Sequence, residues 1–249
     1  MNRSRIEICV ESPEDALAAQ NGGAHRVELC SALSEGGITP SAGSIIKAIE
    51  LIQIDLNVII RPRRGDFLYS DSEFGIMKND IEFCKNNKVN GVVSGILRED
   101  GSIDKQRTGE LIELSKPMSF TFHRAFDCCK DPYKAINELI ALGADRILTS
   151  GLRQSAIEGQ ELIKSLVEYA ENRIIIMPGS GIRFHNISSL QKFTEAKEFH
   201  ASAKEILDSK MKFRNENLSM TNNVVLSEYQ NIRTKQQEVE KLFHALNQS

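Results

Sequence analysis

Short apolar runs return along the chain at a regular interval, with amphipathic stretches between them. They cover Ile6–Val10, Arg26–Cys30, Val58–Arg61, Gly91–Ile96, Ser119–His123, Arg146–Thr149, Ile174–Met177 and Glu198–Ala201. Their starts fall about 20 to 35 residues apart, which leaves room for one crossover helix each. Eight strands alternating with helices predict a parallel sheet, and 249 residues is the length at which such a sheet closes into a (β/α)8 barrel.

Helix boundaries carry their own signals. Ser12-Pro13-Glu14 opens a helix that Asn21-Gly22-Gly23 closes, and Asp131-Pro132 opens another that ends at Leu142-Gly143. Thr39-Pro40-Ser41 precedes a helix over Ile45–Ile52, and Ser155–Ala170 reads as a further one. Beyond Ser202 the pattern changes. Lys204–Ser219 is polar and weakly periodic, and Val225–Leu246 reads as a charged terminal helix. The expectation is a TIM-type α/β barrel over residues 1–203 with a C-terminal helical extension over 204–249, packed on the barrel or on a second subunit.

The strand period of 2 places polar groups where a barrel interior is expected. Glu7, Cys9 and Glu11 share a face in the first strand, and Glu28 and Cys30 do so in the second. Ile59, Arg61 and Arg63 follow in the third, Thr121 and His123 in the fifth, and Glu198, His200 and Ser202 in the eighth. Unpaired burial of such carboxylates costs several kcal/mol, so Arg61 and Arg63 are their expected partners. Two readings stand side by side: a Glu/Arg network filling the barrel, and a ligand pocket that continues into the loops. Those loops hold Asp66 after strand three, Asp127 after strand five and Gly179-Ser180-Gly181 after strand seven. They lie at the strand C-termini, where barrel enzymes place their chemistry and hold anions. Gly179, Ser180, Gly181 and Ser202 are thus the expected anion-binding group.

Composition excludes several classes. The 41% hydrophobic and 26% charged residues are those of an ordinary globular chain. A net charge of −3 with dispersed Lys and Arg offers nothing to nucleic acid. No apolar segment has the length of a signal peptide or membrane helix, so a cytoplasmic protein without membrane association is expected. The five cysteines, 9, 30, 84, 128 and 129, lack paired zinc spacing. In a reducing compartment they serve as buried apolar filler or as soft metal ligands.

Several segments together resemble the CutC family, named for copper homeostasis and distinct from the radical choline lyase that shares the label. They include Glu7-Ile8-Cys9, Arg26-Val27-Glu28-Leu29-Cys30, Glu35-Gly36-Gly37-Ile38-Thr39-Pro40-Ser41, Ile60-Arg61-Pro62-Arg63 and Gly65-Asp66-Phe67-Leu68-Tyr69-Ser70-Asp71. Thr121-Phe122-His123-Arg124-Ala125-Phe126-Asp127, Leu148-Thr149-Ser150-Gly151 and Glu198-Phe199-His200-Ala201-Ser202 complete the match, which spans about residues 5 to 220. Arg64 departs from it, standing where a glycine is usual.

The resemblance implies a cytoplasmic TIM-type barrel, a homodimer or larger homo-oligomer, concerned with copper. Copper would map onto Cys9 and Cys30, whose thiolates suit Cu(I). The alternative is a barrel enzyme, of lyase, isomerase or hydrolase type, acting at the C-terminal mouth of the barrel on a small anionic metabolite, phosphorylated or not. Its pocket would collect Glu7, Glu28, Arg61, Arg63, Asp66, His123, Asp127 and His200. The partner is accordingly a metal ion or a small anionic ligand.

Overall fold

The computed structural model describes residues 4–215, 217 and 227–247. Eight parallel strands form a nearly closed barrel: β1 (Arg5–Val10), β2 (Arg26–Leu29), β3 (Asp55–Ile59), β4 (Gly91–Ser94), β5 (Ser119–Phe122), β6 (Arg146–Thr149), β7 (Ile175–Pro178) and β8 (Glu198–Ala201). Ladders run continuously from β7 back through β1 to β8, and β8 then sits against β7 without a ladder. Around the strands lie α1 (Pro13–Asn21), α2 (Ala42–Leu51), α3 (Asp71–Asn86), α4 (Lys105–Ser115), α5 (Pro132–Leu142), α6 (Gln160–Ala170) and α7 (Ile187–Thr194).

The core lies between strands and helices. Ile6, Ile8, Val10, Phe120 and Phe122 are fully or almost fully buried there, on the outward faces assigned by the period of 2. The helix signals hold as well. Ser12 accepts from the Asp15 amide and Asp131 from the amides of Tyr133 and Lys134, while Gly143 ends α5 at φ +86°.

Three elements differ from the sequence expectation. β3 ends at Ile59, because the Arg61 amide donates to the Thr39 hydroxyl instead of extending a ladder. α6 starts at Gln160 and not at Ser155, because residues 150–159 fold as successive turns in which the backbones of Gly151 and Gly159 meet. The extension, expected to be helical, begins as a strand: β9 (Lys204–Asp208) pairs antiparallel with β10 (Gln230–Thr234), and Ile206 faces Ile232. The expected helix start at Val225 lies outside the described residues. The terminal helix α8 (Gln236–Asn247) buries Val239, Leu242 and Leu246 against α1 and α7. Gly22 is required there, since a Cβ would stand 2.5 Å from the Cβ of Val239.

Candidate metal centre and barrel-mouth cavity

The barrel floor is ionic. Glu7 is 1% exposed and pairs in register with Arg26, which is 3% exposed. Arg26 donates through Nε to Glu7 and through Nη2 to Glu198 Oε2 at 2.7 Å, and Arg146 Nε reaches the same Glu198 oxygen at 2.7 Å. Asn57 Nδ2 adds a bond to Glu7 Oε2 at 3.2 Å. Burial alone would raise the Glu7 and Glu198 carboxyls, but the guanidiniums outweigh it and hold both below their ordinary value. The expected partners of these carboxylates therefore need correction: they are Arg26 and Arg146, not Arg61 and Arg63.

Above the floor, Cys9, Glu28 and His200 bring one sulfur, oxygen or nitrogen each to within 4.8 Å of one another. His200 Nδ1 lies 2.7 Å from Glu7 Oε1, and its Nε2 faces Glu28 Oε2 at 3.5 Å. Cys30 enters from the next strand, where its thiol donates to the Val10 carbonyl at 3.3 Å beside the Cys9 sulfur. That thiol, together with His200, outweighs burial and holds Cys9 down at about 5, while Cys30 is pushed up. Against its own burial, His200 is raised well above 6.5 by Cys9 and Glu7. Each thus drives the other toward its charged form, thiolate for Cys9 and imidazolium for His200. Burial pushes Glu28 up to about 8, and its Oε1 has no partner.

Over this cluster opens a cavity of about 280 Å³, lined among others by Cys9, Cys30, Glu28, Arg61, His123 and His200. Arg61 is not free: Nη1 donates to the carbonyls of Glu35 and Gly37 and Nη2 to that of Gly65, so it fastens the loops of the rim. Its guanidinium lies over the Phe67 ring at 5.2 Å, and Phe67 packs on His123 at 4.9 Å between centroids. His123 Nδ1 accepts from the Ala125 amide, and burial, with Arg61 nearby, pushes the imidazole down to about 3. His123 is thus neutral, with its proton on Nε2. Asp127 borders the cavity but is consumed by Arg124, Thr149 and the amides of Ser150 and Leu152.

The sequence-derived site is therefore brought together in part. Cys9, Cys30, Glu28, Arg61, His123, Asp127 and His200 line the cavity, and Glu7 supports it from below. Arg63 and Asp66 do not belong. They pair with one another at 3.0 Å, and Arg63 Nε donates to Glu73 at 2.6 Å, outside the cavity lining. Arg64, with a 72% exposed side chain, meets Glu35 and leaves the mouth open. Ser180, Gly181 and Ser202 line an adjoining cavity, whereas Gly179 is buried packing whose Cβ would stand 2.5 Å from Leu148. Arg26, Arg124, Arg146, Arg183 and Lys204 were not singled out from the sequence. For Arg26 the signal was present, since it shares the face of Glu28.

The CutC family model matches residues 4–205. The chain belongs to the CutC family. A CutC family protein of Parabacteroides distasonis is 52% identical over 235 residues, covering 94% of this chain and 97% of that one. The human copper homeostasis protein cutC homolog is 49% identical over 224 residues, 90% of this chain and 82% of its own. The crystal structure of CutC from Streptococcus agalactiae superposes with a TM-score of 0.76 at 37% identity, covering 80% of this chain and 98% of that one. The (β/α)8 barrel is therefore the CutC fold. No described helix of this CutC chain is long and apolar enough to cross a membrane.

Proposed function

We propose that this CutC protein handles copper, taking up Cu(I) at the base of the cavity through the Cys9 thiolate, with Cys30 and His200 Nε2 as further donors. One observation carries the reading: a buried sulfur, imidazole nitrogen and carboxyl oxygen lie within 4.8 Å of one another. Soft thiolates favour Cu(I), and a carboxylate holding the far nitrogen of a ligating histidine orients the ring toward the metal. Glu7 stands in that position on His200. All five cysteines are unbridged, which leaves the sulfurs of Cys9 and Cys30 available to a metal. Relatives named for copper homeostasis support the same reading. The metal is cargo here, and the protein's part is to hold it out of water and release it.

Anaerobic titration with Cu(I) against a competing chelator tests this. Stoichiometric binding that Cys9→Ser and Cys30→Ser abolish is the expected result. Binding that ignores both substitutions would overturn it.

The size of the cavity favours a second reading. About 280 Å³ exceeds the needs of a bare ion, and the space is walled by Glu28, with an unpartnered oxygen, and by neutral His123. A carboxyl raised to about 8 exchanges its proton near neutral pH while the neutral His123 donates a hydrogen bond, which suits an isomerase or lyase acting on a small anionic metabolite. Turnover of such a metabolite, lost in Glu28→Gln with the fold intact, is its test.

A further inference from the structure

A second cavity of about 260 Å³ opens at the C-terminal ends of β7 and β8. It shares Cys9, Leu33, Arg124, Leu148 and His200 with the first as wall, so the two adjoin along that wall as the two parts of a recess. Basic side chains predominate on its wall, with Cys9 as the acidic group. Arg124, Arg183 and Lys204 line it, and no carboxylate does.

Two of the three cations are held in place by the fold. Arg183 Nη1 donates to the carbonyls of Ile182 and Ser202, and Arg124 is fixed by Asp127 and Ser150. Lys204 is exposed at the start of β9, with no ion pair among the described residues. Between these cations run Ser180 and Gly181, both left-handed, at φ +75° and +73°. For Ser180 this conformation is strained. It is held by its own hydroxyl on the Gln154 carbonyl at 2.8 Å and by the Ala156 amide on its carbonyl at 3.0 Å. Such strain persists where surrounding structure over-determines it, and it collects at binding sites.

The first cavity offers a complementary group. His123 is 4% exposed, its Nδ1 is occupied by the Ala125 amide, and its Nε2 has no partner. A buried donor without an acceptor costs stability, and a ligand oxygen removes that cost. Because the imidazole is neutral, the group it suits is a carbonyl or carboxylate oxygen, not a second phosphate.

We propose that the recess is a two-part site for a small phosphate monoester that also carries a carbonyl or carboxylate oxygen. The phosphate lies among Arg124, Arg183 and Lys204, and the oxygen accepts from His123 Nε2. This assignment rests on the enzyme reading above for its purpose, but it is independent of copper. It makes the loops after β7 and β8 the phosphate end and the ends of β3 and β5 the oxygen end.

The test is calorimetric titration of the full-length protein with four probes: inorganic phosphate, acetate, 2-phosphoglycolate and dihydroxyacetone phosphate. At least one ester is expected to bind tenfold or more tightly than phosphate or acetate alone, and the preferred ester tells carboxylate from carbonyl. Arg183→Ala with Lys204→Ala should weaken phosphate and ester alike by at least tenfold. His123→Phe should weaken the ester and spare inorganic phosphate. Since replacing the buried His123 puts the fold at risk, the pair at the surface-exposed Arg183 and Lys204 keeps the proposal open to refutation. Esters that bind no better than phosphate, or binding indifferent to Arg183 and Lys204, would overturn it. Tight ester binding without turnover would sink the enzyme reading and leave the ligand assignment standing.

Discussion

His200 Nδ1 lies 2.7 Å from Glu7 Oε1, and this contact joins the ionic floor of the barrel to the thiol cluster above it. Glu7 is itself held ionised by Arg26, so a charge set two strands away fixes the state of the histidine that faces Cys9.

Replacing that anion with a neutral isostere should release the histidine. In Glu7→Gln the His200 imidazolium, followed by its ring-proton NMR signal, is expected to titrate at least about one pH unit lower than in the wild type. A signal that stays in place would show that Cys9 alone sets its charge.

The floor network also carries stability. Arg26→Met leaves Glu7 and part of Glu198 uncompensated at 1% and 8% side-chain exposure, and a cost of about 3–5 kcal/mol is expected in urea unfolding. Arg5 pairs with Asp55 at the surface, and Arg5→Met should cost no more than about 1 kcal/mol. Equal effects at the two sites would refute the distinction.

His123 makes a prediction about pH. Its folded value, about 3, lies below the 6.5 of an unfolded histidine, so the unfolded chain binds the extra proton between those values. Stability from this residue is complete above pH 6.5 and declines as pH falls toward 3, with a slope of up to about 1.4 kcal/mol per pH unit. His123→Gln should flatten that limb by the equivalent of one proton. An unchanged slope would mean that other groups cause it.

Copper uptake should release protons. His200 is an imidazolium at neutral pH, and its Nε2 must shed that proton before it can ligate a metal. Calorimetry at pH 7 in buffers of different ionisation enthalpy should therefore show about two protons released per Cu(I), one from His200 Nε2 and one from the raised Cys30 thiol, with affinity rising as pH rises. Buffer-independent heats would remove His200 from the ligand set.

The turns before α6 have a steric limit. A Cβ on Gly159 would stand 2.0 Å from the Ser150 carbonyl oxygen, a backbone atom that cannot step aside. Gly159→Ala is expected to destabilise by about 1–3 kcal/mol and to disturb the Ser150 contacts of Asp127, visible as a lower thermal midpoint. An unchanged midpoint would show that the two turns are free to separate.

Much of this site was legible in the chain. The alternation of Glu7 and Cys9, of Glu28 and Cys30, of Thr121 and His123 and of Glu198 and His200 identified the interior faces, because side-chain direction in a strand depends only on local geometry. The same rule also pointed to Arg26, yet Arg61 and Arg63 stood out as the more conspicuous arginines. Arg61 instead fastens rim carbonyls, and Arg63 turns outward to Glu73.

The sequence by itself determined the eight strands of the barrel, the faces that look inward, the caps at Ser12 and Asp131 and membership of the CutC family, all of which depend on short-range periodicity or on matching residues. Only the tertiary structure decided which arginine reaches which carboxylate, because that depends on height along the barrel axis and on the register between strands. It also decided that Lys204–Asp208 is a strand, since its partner Gln230–Thr234 is supplied from beyond residue 226. The two-part recess belongs to the same class: it exists only where the loops after β5, β7 and β8 converge, and no local pattern records that convergence.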